Sequence, residues 1–257
     1  MNMYFLGCRA SYAAIPKYKH TSFTIETNDV IYWFDAGEGC STTAHSIGLD
    51  LLKTKEIFIS HPHMDHLGGL GNLLWNIRKL TKLRKHLPIY GDIGLHISDL
   101  ATWEGLWKLL KNTEDNFTWD GKIIPSQIVS GEVYKDKNIS ISAVHNGHME
   151  KKETDIELSF SFEICCEDNR IVYSGDFKNF CDLDELLETP CGYLLIESAH
   201  QTIEDICEYV NKKRVGTVVF LHHRLDVMEN MAKARMTAQR LAKCKIYFAQ
   251  DGDRIII

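Results

Sequence analysis

Residues 56–69 read EIFISHPHMDHLGG. The first five, EIFIS (56–60), have the length and apolar content of a short buried strand, and the chain passes from them directly into HPHMDH. Four metal-ligating side chains thus fall within six positions after a strand end. A loop there can turn neighbouring side chains toward one point, which a helix with this spacing could not do. His61 and His63, one residue apart, share a face and can grip one cation. Asp65 and His66 come off the following turn toward a second. Imidazole and carboxylate donors together suit zinc, with manganese or iron as alternatives. Among twelve histidines a single one means little, but this ordered cluster is more than a histidine-rich surface loop needs.

One loop cannot complete two metal sites, so further ligands must come from elsewhere. Asp176 ends RIVYSGD (170–176), again after an apolar strand. A carboxylate there can bridge two cations or, more plainly, cap the next turn. His222 closes the apolar run of GTVVFLHH (216–223) at a sheet mouth, and His223 faces away from it. In VHNGHM (144–149), His145 still belongs to a strand and His148 sits in the turn after Asn146-Gly147. The two compete for one place.

Around these motifs the chain predicts strands first: MYFL (3–6), TSFTIET (21–27) and VIYWFDA (30–36), with Asn28-Asp29 as a tight hairpin turn. A short helix follows at 40–48, a second begins at LGNLLWNIRKL (70–80), and a third covers 97–111. Strands return at KIIP, EVYKD, ISISAV (139–144), ELSFSFEICC (157–166) and RIVYSGD. The last quarter alternates: helix from 181, strand 193–198, helix 202–212, strand 216–223, helix 226–243 and strand KIYFAQD. This order describes an α/β sandwich, two sheets face to face with helices outside, or a doubly wound sheet. The 257 residues carry five prolines and no low-complexity linker, so a single domain over 1–257 is expected. Residues 84–135, with Trp103, Trp107 and Trp119, form a candidate insert: a lid or aromatic wall, or simply core.

The composition, 44% hydrophobic and 25% charged, is that of a globular chain with a full core. A net charge of −6 argues against a broad basic face for long nucleic acid. The basic cluster RKLTKLRKH (78–86) scatters around a helix and reads as a solvated face. The N-terminus MNMYFLGCRA lacks a signal-peptide pattern, no apolar run reaches membrane-span length, and the eight cysteines contain no C-x-x-C pair. Reduced thiols and a cytoplasmic location are expected.

HPHMDH matches the H-x-H-x-D-H signature of the metallo-β-lactamase superfamily, and the chain as a whole resembles its ribonuclease Z branch. FLGCRASYAAIP (5–16) looks like the opening strand and loop, FDAGEG (34–39) like the second motif, SGD like the motif of the bridging aspartate, FLHH like the strand-end histidine motif, and DGDRIII like the closing strand. The resemblance implies a four-layered αββα sandwich. It implies two divalent metal ions, zinc or manganese: His61, His63 and His148 on one, Asp65, His66 and His222 on the other, Asp176 between them. It places Asp35 behind the loop as a support and not a ligand, and favours His148 over His145 because the family ligand lies just beyond the strand. Dimers are typical of the branch, so a homodimer is expected.

Such a site would lower the pKa of a bridging water and clamp a phosphoryl oxygen in an in-line displacement. Asp65 is the expected proton acceptor for the nucleophile. His200, in IESAH (196–200), is a candidate general acid for the leaving group, or a structural histidine. Bacterial tRNA-processing members of the branch carry a long arm between the third-motif histidine and the bridging aspartate. Here that interval is 176 − 148 = 28 residues, filled by two strands and a turn, and the His-Ser-Thr loop of those enzymes is missing as well. The expected substrate is therefore a small phosphodiester, of the cyclic-nucleotide kind cleaved by armless relatives. The alternatives are tRNA 3′ processing, a thioester or lactone hydrolase, and a binding protein that kept the fold.

Overall fold

Among the described residues, seven strands make each of two mixed sheets, and the candidate ligands lie on the segments that follow the strands ending at Phe58, His145 and Tyr173 and at the end of the strand Val215–His223. The structure, a computed structural model, describes residues 1–10, 17–84, 91–113, 117–118, 121–150 and 156–257. The chain packs as two compact units, one of Met1–Gly7, Lys19–Ile128 and Asp251–Ile257, the other of Cys8–Tyr18 and Val129–Gln250.

In the first unit the elements are β1 (Asn2–Gly7), β2 (Ser22–Thr27), β3 (Val30–Phe34), α1 (Cys40–Ser46), β4 (Thr54–Phe58), α2 (Met64–Leu67), α3 (Leu70–Arg84), β5 (Ile93–Ile97), α4 (Leu100–Lys111) and β6 (Ile123–Gln127), closed by β14 (Arg254–Ile256). The sheet order is β14-β1-β2-β3-β4-β5-β6. Pairing is antiparallel up to β3 and parallel from β3 to β6. Asn28 and Asp29 take φ of 49° and 62°, the left-handed pair that a two-residue hairpin turn requires. Ile31, Trp33, Ile57, Ile59 and Leu95 point from one sheet face into a core shared with Ala44, Leu73, Leu74, Ile77 and Trp103 of the helices. Each large side chain so buried stabilises by ~1.5–3 kcal/mol. Trp33 keeps its indole N–H satisfied by donating to Thr54 Oγ1 at 3.0 Å.

The second unit contains β7 (Gly131–Lys135), β8 (Ile139–His145), β9 (Phe160–Cys166), β10 (Asn169–Tyr173), β11 (Cys191–Ser198), α5 (Ile203–Val210), β12 (Val215–His223), α6 (Leu225–Glu229), α7 (Met231–Leu241) and β13 (Lys245–Phe248). Its order is β13-β12-β11-β10-β9-β8-β7, parallel from β10 to β13 and antiparallel from β7 to β10. Val172, Leu194, Ile196, Val218, Phe220 and Phe248 pack on Ile206, Val210, Ala234 and Ala238. In a parallel sheet the loops leaving the strand C-termini gather at one edge, the usual place for a site in α/β folds.

Three local expectations are corrected, and one strand was not among them. IGLHI (93–97) is a strand that its glycine disguised. A Cβ at Gly94 would stand 1.7 Å from Glu56 Oε2 on the neighbouring strand, so a larger residue there would displace the end of the Glu56 side chain. The third helix starts at Leu100, capped by Asp99, whose Oδ1 accepts from Ala101 N at 3.1 Å. The segment from 181 is one 3-10 turn, Phe180–Leu183, held by a capping box between Asn179 and Asp182. The helix expected over 226–243 breaks at Asn230 (φ −124°, ψ 41°) into α6 and α7. Of 84–135, the described residues supply β5, α4, β6 and β7. Trp103 stacks on Trp107 at 5.4 Å and Trp107 meets Phe117 edge-on at 5.8 Å, as part of the first unit's core. Trp119, Lys85 and His86 of the basic cluster, and Ser11 to Pro16 of the opening loop lie outside the described residues.

Candidate metal centre

In the first unit the site is built on Asp35. This residue leaves β3 in the left-handed region, φ 56°, a conformation that Asp tolerates better than most side chains. Its carboxylate is fully buried and accepts from Ser60 N at 2.7 Å, from Ser60 Oγ at 2.9 Å and from His66 Nδ1 at 2.7 Å. The backbone is drawn in as well: Asp35 N donates to Phe58 O, Ala36 N to His66 O, and Gly69 N to Ala36 O at 2.7 Å. That last approach needs the glycine, since a Cβ on Gly69 would lie 2.2 Å from Gly37 O.

These contacts fix two imidazole tautomers. A carboxylate only accepts, so His66 must carry its proton on Nδ1, and Nε2 keeps its lone pair. Ser60 has one hydroxyl hydrogen, which goes to Asp35. Its oxygen then accepts from His61 Nδ1 at 3.0 Å, and His61 Nε2 is likewise the lone-pair nitrogen. Nε2 of His61 stands 3.0 Å from His63 Nδ1, and Nε2 of His66 stands 3.8 Å from Asp65 Oδ2. Asp65 and His66 are buried on the single turn of α2, while His63 is exposed.

In the second unit the centre is Asp176, which follows Gly175 at φ 53° after β10. Its Oδ2 lies 3.2 Å from His222 Nε2, 3.7 Å from His148 Nε2 and 3.9 Å from His200 Nδ1. One donor atom from each of His148, Asp176 and His200 falls within 4.8 Å of the others. His148 is aimed by the turn before it. Asn146 is buried, donates to Ser161 Oγ at 3.0 Å and accepts from His148 N at 3.3 Å. His145 instead meets Ser159 O through Nδ1 at 3.1 Å and packs edge-on against Phe160.

His222 takes φ 48° at the end of β12, beside a register shift where Ser198 pairs with His223. The segment 8–10 holds that end in place, with His223 N donating to Cys8 O at 2.7 Å and Ala10 N to His223 O at 3.0 Å. His223 does face away. It sits between Ser198 Oγ at 2.8 Å and Ala249 O at 2.9 Å, and burial pushes its pKa down to about 4. His200, nearly half exposed, rests on Glu197: both carboxylate oxygens lie 2.9 Å from Nδ1. Ser60 and Glu197 were not singled out from the sequence. The only signal for them is a polar residue at the end of an apolar strand, directly beside a histidine motif.

The donor chemistry fits divalent cations. Imidazole lone pairs held in position by a carboxylate and a hydroxyl are what a zinc-class ion selects, and neighbouring carboxylates suit a second hard contact. Residues 1–247 match the family model described as Anti-Pycsar protein Apyc1. The chain belongs to that family. A relative, ribonuclease Z of Pyrococcus horikoshii, is 25% identical over 291 residues, covering 94% of this chain and 92% of its own. The metallo-β-lactamase fold protein YhfI of Bacillus subtilis superposes with a TM-score of 0.75 at 14% identity, covering 99% of this chain and 98% of that one. The short form of human tRNase Z gives 0.74 at 17% identity, covering 100% and 99%. The fold is thus the α/β fold of the metallo-β-lactamases, and the chain is a metal-dependent hydrolase of that superfamily's ribonuclease Z-like branch.

Proposed function

We propose that this hydrolase is a phosphodiesterase acting with two divalent cations, zinc or manganese, on a small phosphodiester of the cyclic-nucleotide kind. The residues that would hold the cations are His61, His63, Asp65 and His66 of the first unit and His148, Asp176 and His222 of the second. The observation that carries the metal reading is the tautomer lock, in which Asp35 and Ser60 leave Nε2 of both His61 and His66 as lone-pair donors. The observation behind a small substrate is the short path from His148 to Asp176. Its described residues are β9, β10 and the segments flanking them, and residues 151–155 lie outside the described ones.

Bound cations would acidify a water and offset charge on the phosphoryl oxygens. Asp65 orients that water and takes its proton as the new P–O bond forms. His200 gives a proton to the leaving oxygen as the old P–O bond breaks, so a diester and water become a monoester and an alcohol. A cytoplasmic setting agrees with eight cysteines that are all free thiols. Among the described residues, no helix is long and apolar enough to cross a membrane.

A second reading, RNA 3′ processing, is favoured by the full-length likeness to a ribonuclease Z. Metal-loaded protein assayed at moderate salt against bis(p-nitrophenyl) phosphate, cyclic nucleotides and precursor tRNA separates the two. Cleavage of the small diesters with tRNA untouched is the expected result. Site-specific release of a tRNA 3′ trailer, falling steeply with salt as counterions are released, with cyclic nucleotides intact, would overturn it.

A further inference from the structure

Glu197 is buried at the end of β11, with no exposed surface. Its carboxylate accepts from the backbone N–H of His200 at 2.9 Å, of Ala199 at 3.1 Å and of Phe177 at 3.3 Å. Its own N–H donates to Ser174 Oγ at 3.1 Å. The residue therefore ties the loop that carries His200 to the loop that carries Asp176, within one unit. The remaining acceptor capacity of the carboxylate faces His200 Nδ1, 2.9 Å from both oxygens. A carboxylate with three backbone donors already on it only accepts, so Nδ1 must carry the proton.

We propose that Glu197 is a positioning residue for His200. It fixes the ring's Nδ1–H tautomer and its orientation, so that Nε2 is the nitrogen that exchanges a proton with the leaving oxygen of the substrate. This rests on the reading of His200 as proton donor given above. The same logic operates wherever a carboxylate orients a histidine from behind: the ring is held ready, and nothing has to reorganise when the proton moves. In the reaction, the doubly protonated ring gives its Nε2 proton to the leaving alkoxide as the P–O bond breaks, which leaves the neutral Nδ1–H tautomer bonded to Glu197; the proton that Asp65 took from the water is released to solvent, and solvent returns one to Nε2.

The test exploits leaving groups. An acidic phenol such as p-nitrophenol departs with little help, whereas a ribose alkoxide needs its proton. For E197Q we expect turnover of a cyclic nucleotide to fall by about 100-fold, the scale of a general-acid contribution. Turnover of bis(p-nitrophenyl) phosphate should change less than about threefold. H200Q should show the same split, and the double variant should lose no more than either single one, since the two act as a unit. A purely structural Glu197 would instead lower both rates together with the thermal midpoint, and that result would overturn the proposal.

Nitrogen NMR of the imidazoles in metal-free wild-type protein gives a second readout that needs no turnover and no variant. His200 should be protonated on Nδ1, and a ring found with its proton on Nε2 alone would refute the positioning role. If wild-type protein cleaves no phosphodiester, the functional reading fails, while the NMR result still decides whether Glu197 orients the ring. If H200Q retains full turnover of the cyclic nucleotide, His200 is not the donor and this inference falls with it.

Discussion

Replacing Asp35 by Asn keeps the shape of the side chain and reverses the hydrogen-bonding sense of half of it. In the native protein both carboxylate oxygens accept: Oδ1 from Ser60 N, Oδ2 from Ser60 Oγ and His66 Nδ1. In D35N the amide oxygen can still serve Ser60 N at the 2.7 Å position, but the NH2 group then faces two donors. The Ser60 hydroxyl must turn around, and it then donates to His61 Nδ1 where it had accepted. His66 must move its proton from Nδ1 to Nε2. Both rings lose their lone pair on the ligand side from one exchange of oxygen for nitrogen.

Loss of such a support costs metal affinity ~10–100-fold, or about 1.4–2.7 kcal/mol. In metal-free protein, three bonds to a charged acceptor, each worth ~1.5–3 kcal/mol, become neutral ones worth ~0.5–1.5 kcal/mol. A destabilisation of about 3–4 kcal/mol follows. The assay is competition with a chromophoric chelator for zinc, paired with urea unfolding of the metal-free protein. S60A is the control, because it removes the hydroxyl link to His61 and leaves the His66 to Asp35 bond in place. Wild-type zinc affinity in D35N would refute the tautomer argument, whatever happened to stability.

Three further outcomes are expected. His148→Ala should lower metal content and activity far more than His145→Ala, because His148 stands 3.7 Å from Asp176 Oδ2 while His145 is engaged with Ser159 O; the reverse ranking in a metal titration would move the ligand to His145. Burial holds folded His223 near a pKa of about 4 against the usual 6.5, so the unfolded chain takes up this proton first. The stability contributed by the neutral ring is therefore present above about pH 6.5 and is lost as pH falls toward 4, to the extent of ~3 kcal/mol; unfolding curves from pH 7 to 4 should be shallower in pH for H223Q, and equal slopes would exclude His223 as a source. Finally, α3 and α4 leave Trp75 and Leu109 exposed beside a largely apolar groove of about 710 Å³, surface that a homodimer would cover; sedimentation showing a monomer at micromolar concentration would rule the dimer out.

The features of this protein that can be read before folding are those that depend on near neighbours in the chain. An apolar strand followed at once by HPHMDH places four donors at one strand end, whatever else the chain does. Asn28-Asp29 makes its hairpin because two residues must take positive φ there. The order of strands and helices, together with the family motifs, was enough for the α/β fold. What the sequence left hidden depends on partners far away in the chain. β5 was illegible because Gly94 interrupts its run of apolar residues, and its contact with the Glu56 side chain of β4 leaves no trace in the periodicity of IGLHI. The turn at Phe180–Leu183 and the break at Asn230 are settled by caps and packing that a run of helix-forming residues does not reveal.

Only the tertiary structure could choose between His145 and His148 as the neighbour of Asp176, since both lie in one short segment and differ in where the turn after β8 aims them. Ser60 and Glu197 acquire their roles in the same way. Each is an ordinary polar residue in sequence, and becomes the fixed partner of a histidine only where folding buries it beside that ring.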